Sequence, residues 1–281
     1  MNTKVSYYIT AVLLVIIFLS GCATTFPMFM DRQSRADNIA VKSGFVKEYI
    51  RAGDFNLLSY QKIAKSSETI RIYIEGDGNA WETKHRLSND PTPRQPVALY
   101  LACEDTFASI VYIARPGQYS SSGFADCDSK YWSGSRFASE IIVSFNRAID
   151  ILKEKSNAKY IELIGYSGGA AIVVLVAARR SDVIALRTVA GNLNPHMLSV
   201  YHHVSQLEGS LDPLDVVQKV AHMPQRHFVG SKDKIVPFAI AESFVKMEQT
   251  KDYECITVVD DASHNEGWQK RWQNLLLLQP L

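Results

Sequence analysis

The sequence predicts an α/β protein built on a mostly parallel central sheet, with helices on both faces and a short cap. From residue 70 onward, short apolar segments alternate with segments of helical periodicity, a pattern typical of parallel strands joined by crossover helices. The chain has 281 residues, of which 47% are hydrophobic and 21% charged, enough to bury both faces of one sheet. A glycine-flanked serine stands between one strand and the next helix. In such sheets, ligands bind at the carboxyl ends of the strands.

The first 21 residues have the pattern of a signal peptide. Residues 1–8 carry one lysine and no acid, and residues 9–19 are almost wholly apolar. This apolar run is about half of the roughly 20 residues that a membrane-spanning helix needs. The sequence Leu-Ser-Gly-Cys that ends at Cys22 resembles the bacterial lipobox, which implies cleavage before Cys22 and attachment of fatty acyl groups such as palmitate. The alternative is a plain secretory signal with an incidental cysteine.

This N-terminus predicts a protein of the bacterial cell envelope, held to a membrane by lipid and facing the periplasm or the exterior. Residues 22–44 mix polar, charged and apolar side chains without clear periodicity, and they predict a tether with at most one short helix. The folded domain is then expected to span residues 45–281.

Three cysteines remain once Cys22 is assigned to the anchor, so at most one internal disulfide can form. Cys103 and Cys127 flank the same predicted strand and are the expected pair. Cys255 lies within an apolar segment and is expected to be a small buried residue.

The charge balance argues against a nucleic-acid partner. The chain has 30 basic and 29 acidic residues, a formal net charge of +1, and no long run of either sign. A small or neutral substrate suits this balance better.

The first part of the domain predicts an antiparallel hairpin followed by a stronger strand. The hairpin strands are residues 45–51 and 55–62, and the next strand is residues 70–75. A turn with two glycines, Gly76-Asp77-Gly78-Asn79, follows and allows close approach of a ligand, so it is a candidate oxyanion loop. The alternative is an ordinary solvent-facing turn. Trp81 and Tyr119 either line the same cleft or belong to the core.

The middle of the chain contains the strand, turn and helix that carry the serine. Gly165-Tyr166-Ser167-Gly168-Gly169 fits G-x-S-x-G, in which a serine on a tight strand-to-helix turn exposes its hydroxyl. Ser167 is therefore the candidate nucleophile, against the alternative of an ordinary glycine-rich turn. The flanking elements are a helix at 96–103, a strand at 109–114, a helix at 137–155 and a strand at 184–190.

The last third predicts a cap and two more strand–helix units. Residues 192–223 contain no strong strand or long helix and are interpreted as the cap. Its three histidines, His196, His202 and His203, have no acid or cysteine at ligand spacing, so no metal site is predicted. The remaining elements are strands at 226–229 and 253–259 and helices at 238–248 and 266–278.

A serine hydroxyl needs a neighbouring imidazole to take its proton, and the imidazole needs a carboxylate to fix its tautomer. Asp233 follows one late strand and His264 follows the next, so in a parallel sheet both would emerge at the same edge as Ser167. Asp260 and Asp261 are the rivals of Asp233, although they fit better as helix-capping or solvated loop residues.

These motifs resemble those of the α/β-hydrolases. The pieces that carry the resemblance are the glycine–serine turn, the segment Gly-Ser-Lys-Asp-Lys-Ile-Val-Pro that contains Asp233, and His264 followed by Trp268. The resemblance implies that Ser167 is the nucleophile, that His264 is the general base and then the general acid, and that Asp233 orients it.

The resemblance also implies an oxyanion hole formed by the backbone N–H groups of Gly168 and Asp77. Here the chain departs from the common pattern, because Glu75-Gly76 stands where many relatives have His-Gly.

The sequence therefore predicts a lipid-anchored serine hydrolase that cleaves a carboxylic ester or related acyl bond through an acyl-enzyme, without a metal or cofactor. An esterase, lipase, thioesterase or peptidase could each use this triad. The short cap favours a small acyl group. The alternative is a non-catalytic envelope lipoprotein that uses the same fold to bind a ligand or a protein partner.

Overall fold

An eight-stranded sheet forms the centre of the computed structural model, which describes residues 31–64, 67–120, 127–248 and 253–281. The strands of this sheet are β1 (Val46–Ala52), β2 (Phe55–Lys62), β3 (Thr69–Ile74), β6 (Ile110–Ile113), β7 (Tyr160–Tyr166), β8 (Val183–Val189), β9 (Gln225–Gly230) and β10 (Ile256–Val259). A separate two-stranded sheet consists of β4 (Trp81–Thr83) and β5 (Arg86–Leu87).

The strand order is β1-β2-β6-β3-β7-β8-β9-β10. β1 pairs antiparallel with β2, and β2 pairs antiparallel with β6, whereas every pair from β6 to β10 is parallel. The carboxyl ends of the parallel strands therefore meet at one edge, which is where the predicted site residues follow them.

Helices cover both faces of the sheet. They are α1 (Arg32–Lys42), α2 (Val97–Glu104), α3 (Ser139–Ser156), α4 (Gly168–Ala177), α5 (Pro195–His202), α6 (Val217–Val220), α7 (Phe238–Glu248) and α8 (Trp272–Leu276). The apolar sides of α3, α4 and α7 pack in one hydrophobic cluster, and those of α1, α2 and α8 pack in a second cluster. The predicted α/β fold with a mostly parallel sheet is confirmed.

The end of the chain differs from the prediction. The last strand begins at Ile256, because Tyr253–Cys255 forms a 3-10 turn. The predicted long C-terminal helix is a 3-10 turn at Gln269–Arg271 followed by the short α8. The physical reason is Gly267, whose φ of +91° is incompatible with an α-helix that begins at residue 266.

Helix α1 extends the domain beyond the predicted boundary at residue 45. Ala36 and Ala40 are fully buried against the sheet. Asp37 accepts hydrogen bonds from the Tyr60 hydroxyl at 2.7 Å and from Lys47 Nζ at 2.9 Å. The compact unit therefore begins at Arg32, and the helix that the sequence allowed within the tether belongs to this unit. The predicted signal peptide, Cys22 and the first part of the tether lie outside the described residues.

The expected disulfide between Cys103 and Cys127 is not present. The two thiols are unpaired, since Cys103 packs against the cluster that contains α1 and α2 whereas Cys127 packs against the cluster that contains α3 and α4. Cys255 is buried, as predicted. Within the described ranges, no helix is both long and apolar enough to cross a membrane.

Candidate active site

Ser167 occupies a strained turn between β7 and α4. Its φ and ψ are 50° and −120°, a backbone conformation that a residue with a side chain rarely adopts. The neighbouring glycines allow this turn: a Cβ on Gly165 would lie 2.4 Å from the Gly169 carbonyl oxygen, and a Cβ on Gly169 would lie 2.3 Å from the Ile74 carbonyl oxygen. The sequence thus forces the serine hydroxyl outward at the sheet edge.

Ser167, His264 and Asp233 lie in hydrogen-bonding succession. His264 Nε2 is 3.1 Å from Ser167 Oγ, and His264 Nδ1 is 2.9 Å from Asp233 Oδ2. Because an ionised carboxylate only accepts hydrogen bonds, Nδ1 carries the proton and Nε2 is left to accept one from the serine. The structure brings together the three side chains that the sequence predicts.

The Asp233 side chain is fully buried and fixed at its second oxygen as well. Oδ1 accepts hydrogen bonds from the backbone N–H groups of Ile235 at 2.8 Å and Val236 at 2.9 Å. The rival Asp261 is exposed and pairs with Lys232 at 2.7 Å. Asp233, and not Asp261, is therefore the carboxylate hydrogen-bonded to the His264 imidazole.

The loop after β3 packs directly against Ser167. A Cβ on Gly76 would lie 3.0 Å from the Ser167 Cβ, and the Gly76 carbonyl oxygen accepts a hydrogen bond from Gln118 Nε2 at 2.9 Å. The N–H groups of Gly168 and Asp77, the predicted oxyanion donors, form no hydrogen bond within the described part of the chain. Both N–H groups are thus free to donate to a ligand.

Asp77 is held by two arginines that sequence reasoning missed. Its carboxylate accepts from Arg115 Nη1 at 3.1 Å and from Arg136 Nη1 at 2.7 Å, and Arg115 also donates to the Arg136 carbonyl oxygen. Burial alone would raise the pKa of Asp77, but the charges of Arg136 and Arg115 outweigh it and lower that pKa. The carboxylate therefore stays ionised within the candidate oxyanion loop.

The pairing of one of these arginines with Asp77 could be predicted from the sequence. Arg115 follows the apolar strand β6 almost directly, and Asp77 follows β3, which is the parallel neighbour of β6. Opposite charges at the carboxyl ends of neighbouring strands are close enough to pair. Arg136 lies in an irregular loop, and no pattern in the sequence points to it.

Glu75, the departure from the common pattern, connects the oxyanion loop to α2. Its buried carboxylate accepts from the N–H groups of Gly76 at 2.9 Å and Ala98 at 3.4 Å, and from the Tyr112 hydroxyl at 3.2 Å. Burial raises the pKa of Glu75 to about 7, although the hydrogen bonds from Gly76 and Ala98 act in the opposite direction. Glu75 therefore anchors the candidate oxyanion loop to α2 and β6.

An open cleft of about 1860 Å³ surrounds the serine and the histidine. Trp81 lines this cleft, whereas Tyr119 is buried in the core. The predicted cap contributes Leu198 and His202 to one wall. Among the residues that the structure describes, no group of histidine, cysteine or acidic side chains could hold a metal ion.

Solved structures resemble this chain at low sequence identity. No protein-family model matches it, and no curated protein does. Pyrococcus furiosus esterase Pf2001 superimposes with a TM-score of 0.59 at 14% identity, over 85% of this chain and 92% of the esterase. A membrane phospholipase A described as a bacterial virulence factor gives 0.58 at 13%, over 97% of both chains. An alpha-beta serine hydrolase homologue from Coxiella burnetii gives 0.54 at 20%, over 82% of this chain and 93% of that one. The chain has the α/β-hydrolase fold.

Proposed function

We propose that this protein is a serine hydrolase that cleaves a carboxylic ester or a related acyl bond, with Ser167 as nucleophile. The observation that carries the proposal is the succession of Ser167 Oγ, the His264 imidazole and the Asp233 carboxylate at 3.1 and 2.9 Å. The esterase, phospholipase and serine hydrolase described above, which resemble the chain in fold, support the same reaction class.

The geometry supports a two-step acyl transfer. Ser167 Oγ attacks the carbonyl carbon of the substrate while His264 Nε2 takes its proton. The protonated imidazole, stabilised by Asp233, then donates that proton to the leaving alkoxide as the C–O bond breaks, which leaves an acyl group on Ser167. A water molecule attacks this acyl-enzyme through the same base, and Ser167 is regenerated as the acid product leaves.

The negative charge that develops on the carbonyl oxygen falls between Gly168 and Asp77. The N–H of Gly168 is the first of helix α4, where unpaired donors and the helix dipole favour an anion. Donors of this kind contribute about 10²- to 10³-fold each to turnover.

We also propose that the enzyme works in the bacterial cell envelope, held to a membrane by acyl groups on Cys22. The motif that ends at Cys22 and its position after the apolar run support this assignment. Several acyl chains hold a protein at a bilayer far more firmly than one, since each buried CH₂ adds about 0.8 kcal/mol.

Labelling by a fluorophosphonate probe tests the proposed chemistry. The unaltered protein should be labelled, and Ser167→Ala should not. Ser120→Ala is a matched control, because Ser120 is exposed and lies outside the cleft. Labelling that persists in Ser167→Ala would exclude Ser167 as the nucleophile, and a folded protein without labelling or ester hydrolysis would favour the binding alternative.

A further inference from the structure

An exposed apolar face lies on the cap helix α5, next to the cleft. Met197, Val200 and Tyr201 stand at positions i, i+3 and i+4, so they share one side of the helix, and they are 37%, 56% and 48% exposed. Leu198 and His202 of the same helix line the cleft. The cleft-lining residues lie on the opposite side of this helix, so the apolar face forms the outer side of this part of the cleft's rim.

Other exposed apolar side chains continue this rim around the mouth. Val204, Ile235 and Trp81 all line the cleft, and each is exposed. His202 Nε2 lies 2.7 Å from the Ile235 carbonyl oxygen, which fixes α5 beside the loop after β9. We call these six residues the apolar rim: Trp81, Met197, Val200, Tyr201, Val204 and Ile235. Trp81, Val204 and Ile235 line the opening and the other three lie on the outer side of α5 beside it, an arrangement that indicates a binding surface.

The N-terminus of the compact unit lies at the same mouth. Arg32 Nη1 donates to the carbonyl oxygens of Thr92 at 2.9 Å and Asp90 at 3.2 Å, and Arg35 Nη1 donates to that of Arg94 at 3.3 Å. Arg94 lines the cleft. Helix α1 thus begins beside the opening through which a substrate enters.

The length of the tether limits how far the domain can lie from an anchor on Cys22. Residues 23–31 separate Cys22 from α1, and fully extended they span about 30 Å. A compact domain of this size is roughly 45 Å across. A lipid on Cys22 would therefore keep the start of α1 within about 30 Å of the bilayer, a distance shorter than the width of the domain. Lys84 and Arg94, both exposed at this mouth, would face anionic headgroups.

We propose that the apolar rim docks on the lipid bilayer and that the substrate is an acyl ester carried in that bilayer, which enters the cleft from the membrane. This inference rests on the proposed hydrolase activity and on the proposed anchor at Cys22. An open cleft of about 1860 Å³ has room for a longer acyl chain than the small acyl group that the short cap favours.

Trp81 provides a built-in probe of docking. It is 44% exposed on the rim, whereas Trp268 and Trp272 are buried. The full-length lipidated protein is reconstituted on phosphatidylethanolamine–phosphatidylglycerol vesicles with or without brominated acyl chains. The fluorescence of Trp81 is obtained by subtracting the spectrum of Trp81→Phe from that of the unaltered protein. The brominated acyl chains should quench it strongly. An unquenched Trp81 signal would overturn the proposal.

A triple substitution tests whether docking delivers the substrate. Met197→Ser, Val200→Ser and Tyr201→Ser together should lower hydrolysis of vesicle phospholipid by about tenfold or more, because the face loses its apolar contact with the bilayer. Hydrolysis of soluble p-nitrophenyl acetate should be unchanged. The matched control is Val143→Ser, Ile151→Ser and Ile184→Ser, three exposed apolar residues away from the cleft, and it should leave both activities unchanged.

The two substrates separate the failure of this inference from the failure of the proposed function. Two results would overturn membrane delivery if the soluble ester is still cleaved. In one, the unaltered protein does not hydrolyse vesicle phospholipid; in the other, the rim and control variants hydrolyse it equally. Loss of all ester hydrolysis in the unaltered protein would instead overturn the hydrolase assignment and, with it, this inference.

Discussion

The carboxylate of Asp77 lies against the backbone of Gly168, so that a Cβ on Gly168 would be 2.1 Å from Asp77 Oδ1. This contact closes the candidate oxyanion loop onto the residue after Ser167, and only glycine leaves room for it. It also places a negative charge beside the position where the reaction develops another. Arg115 and Arg136 neutralise that charge, which is the electrostatic condition for the proposed catalysis.

Removing one of these arginines should expose the charge of Asp77 to the transition state. We expect Arg136→Gln to lower kcat by about 10- to 100-fold with little change in KM. Adding Asp77→Asn to that variant removes the uncompensated charge and should recover part of the lost kcat. Steady-state kinetics of the two single variants and the double variant form the test. Strictly additive losses would show that the ion pair has no electrostatic role in turnover.

The Asp77 ion pairs should also affect stability at low pH. The pKa of Asp77 is lowered in the folded state, so the stabilisation is present above its ordinary value of 3.8 and is lost as the pH falls through the lower folded value. Urea unfolding between pH 6 and pH 3 measures this loss. The unaltered protein should lose more stability over that interval than Asp77→Asn, and parallel curves would contradict the assignment.

Glu75 should make the protein less stable as the pH rises. Its folded pKa is raised from 4.5 to about 7, so the folded state binds more protons than the unfolded state between these values. Stability therefore falls through this interval, by about 3 kcal/mol in total. Glu75→Gln keeps the shape and cannot ionise, so its urea midpoint should fall less between pH 4.5 and pH 8. An equal decline in both proteins would show that Glu75 ionises freely.

Asp233→Asn should lower kcat by about 10⁴-fold, because an amide no longer enforces the tautomer with the proton on His264 Nδ1. Asp261→Asn is the matched control, since Asp261 is exposed and pairs with the exposed Lys232. Its kcat should equal that of the unaltered protein. A larger loss in Asp261→Asn than in Asp233→Asn would reassign the orienting carboxylate.

Much of this site follows from local sequence. The turn around Ser167 is predictable because its motif has glycine at 165 and 169, where a Cβ would lie within 2.5 Å of backbone oxygen atoms. The order of the strands then brings Asp233 and His264 to the same edge of the sheet. The pairing of Asp77 with Arg136 is not predictable in this way, because it joins two loops whose approach depends on the packing of the whole sheet edge. The start of the domain at α1 is also hard to predict from the sequence. The buried residues of this helix are two alanines, Ala36 and Ala40, whose small side chains give a weak amphipathic pattern.

The anchor prediction concerns residues outside those described. Cys22→Ser should abolish labelling of the protein by radioactive palmitate in cells and release it from the membrane fraction. Cys103→Ser, which removes a partly buried thiol of the domain, should leave labelling unchanged. Palmitate that remains on Cys22→Ser would place the lipid elsewhere.

The most direct test of the central claim is the identification of the acyl-enzyme. The protein is mixed with a p-nitrophenyl ester, quenched in acid within the first turnover and digested, and the acylated peptide is located by mass spectrometry. The account predicts a burst of about one p-nitrophenol per protein molecule, with the acyl group on Ser167. The burst should be absent from both Ser167→Ala and His264→Ala. A full burst in Ser167→Ala, or an acyl group on another residue, would contradict it.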